Sequence, residues 1–191
     1  MKKIIIPIIY IFFLLNSTFA YTQEEVDSAK YLAYKWIITS KELNSDFNLD
    51  NNITRREMLK VMFNLSWWYV KDSCESKFSD LKSDDWWCKY AETALKNWMI
   101  AKNINFRPND MITKAEALKM IFKWIWLKKE GSYSSWEEWY VKTALNKWLI
   151  DNSFNDYKTN AKRWWIFVIW KNSFFLWNDE DLDIFDFFIN N

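Results

Sequence analysis

Three segments of this chain carry one pattern, and a repeated unit of this size can bury its apolar face only against its neighbours. "YAETALKNWMI" from Tyr90 and "YVKTALNKWLI" from Tyr140 share Tyr, Thr-Ala-Leu, Trp and Ile at the same places, and "SAKYLAYKWII" from Ser28 is a more distant copy. Small and apolar residues recur in each at helical spacing, as in Ala91, Ala94 and Leu95 or Val141, Ala144 and Leu145. A loop with an aromatic follows: Phe47, Phe106 or Phe154. In the first two copies a second helix is expected from "ITRRE" (Ile53 to Glu57) and "ITKAE" (Ile112 to Glu116). Thr-x-x-Glu is a capping box, in which the Thr hydroxyl and the Glu carboxylate each accept an otherwise orphaned backbone N–H. Met58, Leu59, Met62 and Phe63, and Ala117, Leu118, Ile121 and Phe122, extend these starts as amphipathic helices.

Trp36, Trp98 and Trp148 each stand directly after the first helix of a copy and before two apolar residues. That is where the chain turns left-handed and where glycine is favoured. The chain has 15 Trp and 1 Gly, where the usual ~7% glycine would give about 13 in a chain of this length. Some bacterial lineages decode UGA as glycine, and we read many of these tryptophans as glycines written through the standard code. Trp36, Trp98, Trp148 and Trp164 are assigned so. Trp86 and Trp136, each four residues before a motif tyrosine, are kept as tryptophan, and the others stay open. A Trp-rich chain that stacks on sugars or lies on a membrane surface is the alternative, and it leaves the missing glycines unexplained.

Lys2 and Lys3, the apolar run Ile4 to Leu15 and "STFA" read as a secretory signal peptide over residues 1–20, cut after Ala20. No transmembrane span is expected after cleavage. In an exported chain the two cysteines, Cys74 and Cys88, are expected to form a disulfide. Without histidine they make a poor metal site. With 26 basic against 25 acidic residues, the chain lacks the basic excess of a nucleic-acid partner. No catalytic set is visible, "KWIWLKK" makes no phosphate loop even with glycines restored, and the acidic end from Asn178 lacks calcium-loop spacing. No cofactor is expected.

Phe78 to Phe122 resembles the S-layer homology (SLH) motif: Phe78 and Asp80 as Phe-x-Asp, Trp86, the helix end at Trp98 with Met99 and Ile100, Phe106 with Pro108, and Ile112 to Glu116. The resemblance implies an all-α fold of three SLH helix-loop-helix repeats, residues 22–72, 73–130 and 131–177, in a pseudo-threefold assembly with an acidic tail over 178–191. Copy 1 lacks Phe-x-Asp. In copy 3 Arg163 stands at the motif arginine, and Trp165 replaces the capping glutamate. The resemblance further implies a secreted, non-catalytic envelope module whose inter-repeat grooves hold an anionic cell-wall polysaccharide. The motif arginine's role falls on Arg55, Lys114 and Arg163, and Trp86 and Trp136 are candidates for sugar stacking or core packing. The alternative is a structural or adhesive envelope protein whose repeats contact other envelope proteins.

Overall fold

The computed structural model describes residues 21–38, 47–65, 69–125, 131–151 and 156–177. The expected signal peptide, the acidic tail, Phe154, Trp67, Trp68 and Trp126 lie outside the described residues. The fold is all-α, with six helices among the described residues: α1 Gln23–Tyr34, α2 Arg55–Leu65, α3 Cys88–Lys96, α4 Lys114–Trp124, α5 Trp136–Asn146 and α6 Arg163–Trp177.

The helices begin where local chemistry starts them. Thr113 N–H donates to Glu116 Oε2 at 3.0 Å while Glu116 N–H donates to Thr113 Oγ1 at 3.2 Å, so the capping box forms at α4. Thr54 and Glu57 make the same reciprocal pair at α2. Thr22 and Glu25 make it at α1, and Ser135 caps α5 by accepting the N–H of Glu138. We did not anticipate these last two from the sequence.

The first helix of each copy ends in one shared geometry. Trp36, Trp98 and Trp148 have φ of 60°, 58° and 58°. At α3, Met99 N–H donates to Ala94 O at 2.9 Å and Trp98 N–H to Leu95 O at 3.1 Å. That is a Schellman motif, and α1 and α5 end with the same pair of bonds. The three indoles are 90%, 81% and 85% exposed, so they bury almost nothing in exchange for the left-handed backbone. Trp164 differs, because it lies inside α6 rather than at a left-handed turn. The helix-end argument for glycine therefore does not extend to it.

α2 packs on α3, α4 on α5 and α6 on α1, and α4 also touches α2 and α6. The core between them holds Leu32, Met58, Met62, Leu118, Ile121 and Ile166, all fully buried. Each such side chain contributes about 1.5–3 kcal/mol when removed from water. Trp124 and Trp170 meet edge to face at 5.1 Å between α4 and α6. Phe47 and Phe106, the two described loop aromatics, are buried.

The loops entering α2, α4 and α6 form a closed circuit. Ile53 N–H donates to Ala161 O at 3.0 Å, Ala161 N–H to Ile112 O at 2.8 Å, and Ile112 N–H back to Ile53 O at 3.1 Å. A second circuit serves the helix starts: Arg55 N–H reaches Asp110 O, Lys114 N–H reaches Thr159 O, and Arg163 N–H reaches Asn51 O, at 2.9 to 3.0 Å. The first amides of a helix have no partner within it. Here the next loop in the circuit supplies the acceptors.

Candidate functional site

The circuit places Arg55, Lys114 and Arg163 at the first position of α2, α4 and α6. Each side chain reaches an acid in the neighbouring copy: Arg55 Nη1 lies 3.5 Å from Glu116, Lys114 Nζ 3.9 Å from Asp156, and Arg163 Nη1 3.9 Å from Glu57. Glu57 and Glu116 thus hold their own helix start and the neighbour's arginine together. Copy 3 has Trp165 where that glutamate would stand, and Lys114 turns to Asp156 instead.

Arg55 is the most deeply held of the three, with 13% of its side chain exposed. Its Nε–H donates to Phe106 O at 2.9 Å, and the guanidinium lies 5.4 Å from the Phe106 ring centroid. Burial pulls its pKa below the ordinary arginine value, and Glu116 partly opposes that fall. Arg163 is more open and lies over Phe167, with its Nε buried and unpartnered. The resemblance to the SLH motif implies that these side chains are groove residues. The tertiary structure also makes them clasps between copies.

Trp86 and Trp136 occupy equivalent seams and are 44% and 41% exposed. Lys60 lies over the Trp86 ring at 5.4 Å, and Lys119 over the Trp136 ring at 4.6 Å. Each indole also meets its motif tyrosine edge to face, Tyr90 or Tyr140. Lys119 is held below its ordinary pKa by burial, with Lys123 adding to the effect.

Asp80 of the Phe-x-Asp opening accepts the N–H groups of Phe106 and Arg107 at 2.7 and 2.6 Å, fixing the loop on which Arg55 leans. Beside it, Cys74 and Cys88 are joined, with Cα atoms 5.7 Å apart. The disulfide fastens the segment before copy 2 to the start of α3. Glu92 of α3 adds to this hold by accepting the N–H groups of Glu75 and Lys77. Neither Asp80 as a loop anchor nor Glu92 was singled out from sequence, because their partners lie 26 and 15 residues away.

A cavity of about 950 Å³ opens between α6, the N-terminus of α1 and the end of α5 through Trp148, with Lys114 and Asp156 on its wall.

No described helix is long and apolar enough to cross a membrane. Among curated proteins, none matches the chain. Residues 77–118 match the family model of the S-layer homology domain, a non-catalytic module associated with anchoring at the cell envelope, and this stretch runs from Phe-x-Asp through α3 into the capped start of α4.

Proposed function

We propose that the chain is a secreted anchoring module of three SLH repeats in a pseudo-threefold assembly, holding secondary cell-wall polysaccharide noncovalently in the grooves between repeats. The SLH match over residues 77–118 carries this reading. The closed hydrogen-bond circuit through Ile53, Ile112 and Ala161 supports extending it to all three copies. Lys114 and Arg163 would meet anionic groups of the glycan, Arg55 would hold the groove wall, and Trp86 and Trp136 would offer partly exposed ring surface. The test is retention of the full chain on cell wall with its polysaccharide and on wall stripped of it. Selective retention on intact wall is expected. Equal retention on both refutes the reading in favour of protein-protein contacts.

The same reading takes Trp36, Trp98 and Trp148 as glycine in the native protein. Their left-handed backbone and exposure support it, as does Gly131, the single glycine, which also sits at positive φ, 77°. Peptide mass spectrometry on native material decides it, and tryptophan at all three positions refutes it.

A further inference from the structure

The seams between copies are not alike. At the same two positions of the second helix, α4 has Lys119 and Lys123, α2 has Lys60 and Asn64, and α6 has Val168 and Asn172. Lys60 lies over Trp86 of the next copy and Lys119 over Trp136, whereas the seam of α6 with α1 has Glu24 at the place of the tryptophan. One turn further along, Asn64 Nδ2 donates to Ile37 O at 2.9 Å and Lys123 Nζ donates to Trp98 O at 2.6 Å. Each bond fastens the second helix to the end of the first in its own copy. A neutral amide does this in α2, so the fastening does not require the charge of Lys123.

Lys119 and Lys123 stand four residues apart on one helix face, where like charges destabilise a helix. Lys119 is partly buried and makes no hydrogen bond or ion pair among the described residues; its ammonium meets the Trp136 ring at 4.6 Å. Burial holds it below the ordinary lysine pKa, and Lys123 and Arg55 add to that fall. The acids that oppose them are Glu116, already engaged by the Thr113 amide and Arg55, and Glu137 in the first turn of α5. Three cations therefore face two carboxylates. A partly desolvated ammonium without an acceptor, beside a second ammonium, costs the fold stability that an arriving anion restores. We propose that the groove beside α4 is the principal anion-binding seam, with Lys119 and Lys123 receiving one carboxylate or phosphate of a sugar whose apolar face packs on the open part of the Trp136 indole. The inference rests on the anchoring reading above and names the groove and the cations that read the charge, one and two turns beyond the motif position. Lys123 holds a backbone carbonyl, so the assignment does not depend on which residue occupies position 98.

The full chain is titrated with polysaccharide released from the cell wall of the native host, at low and at physiological salt. Lys119→Gln should weaken binding roughly tenfold or more, the scale of one hydrogen bond to a charged group, and should flatten the salt dependence. Lys119→Arg should keep most of the affinity, and Lys60→Gln should lose less than Lys119→Gln. Lys123→Gln should also bind more weakly, yet melt at or above the parent temperature because the like-charge pair is gone. A lysine that served stability alone would give the opposite pair of results. Amidating the polysaccharide's carboxylates with a carbodiimide and methylamine identifies the anion: a carboxylate ligand loses the difference between parent and Lys119→Gln, a phosphate ligand keeps it, and each bears out the groove. Parent-like binding by Lys119→Gln, or a larger loss in Lys60→Gln, overturns the proposal. If stripped wall retains no protein while Lys119→Gln binds like the parent, the groove assignment fails and the anchoring reading stands. Equal retention on intact and stripped wall overturns both.

Discussion

Replacing Arg55 with alanine separates a clasp from a surface contact. The substitution strips the Phe106 carbonyl of the Nε–H that reaches it at 2.9 Å, in a region where Phe106 is 2% exposed. An acceptor left unsatisfied in such a place costs about 1–3 kcal/mol. Losing the guanidinium over the Phe106 ring adds about 0.5–1 kcal/mol. The pair with Glu116, which is 31% exposed, adds roughly 0.2–1 kcal/mol because solvent screens it. The total is about 2–5 kcal/mol, or a fall in Tm of roughly 4–20 °C for a chain of this size. Arg55→Lys keeps the charge but not the fork, and should lose about half as much. Thermal unfolding followed at 222 nm measures both. A melting temperature for Arg55→Ala within about 2 °C of the parent would refute the argument, since a mainly solvated arginine contributes little to stability.

Changing Trp36, Trp98 and Trp148 to glycine should raise stability. A bulky residue in the left-handed region costs about 1–2 kcal/mol against about 0.5–1 kcal/mol for the extra freedom of unfolded glycine, so denaturant midpoints should rise, and a fall in the triple variant counts against the strain. Cys74→Ser with Cys88→Ser should destabilise by about 3 kcal/mol through the freed loop, measured by urea unfolding against the oxidised parent. Asp80→Ala should lower Tm, because it orphans the amides of Phe106 and Arg107, and two lost charge-assisted bonds predict about 3 kcal/mol or more. Acid should weaken the fold. Asp50 is held below its ordinary value first by the Tyr21 hydroxyl and then by Lys162, Glu75 by Lys71 and Lys77, and Glu138 by Ser134. A carboxyl with a lowered folded pKa stabilises above its unfolded value and loses that contribution as pH falls through the folded one, so Tm should hold above about pH 5 and decline below about pH 4. Asp50→Asn should reduce that decline, and an unchanged acid slope in this variant would exclude Asp50 as a contributor.

The features legible in the sequence are those whose causes lie within a few residues. The apolar stripes of α2 and α4, the Thr54–Glu57 and Thr113–Glu116 boxes and the left-handed ends at Trp36, Trp98 and Trp148 all depend on neighbours three to five positions away, and each forms as read. The Cys74–Cys88 pairing followed from there being two cysteines to join. The role of Arg55 was not legible. Its partners, Phe106 and Glu116, are 51 and 61 residues away, and only closure of the loop circuit brings them to it. The same holds for the unequal seams. In the sequence Glu24 and Val168 are an unremarked acid and an ordinary apolar residue, and α6 must return to α1 before they fall where the other seams carry tryptophan and lysine. Helix periodicity and capping are local, whereas the pairing of copies joins residues far apart in the chain, and no short-range pattern records which distant side chain will stand opposite.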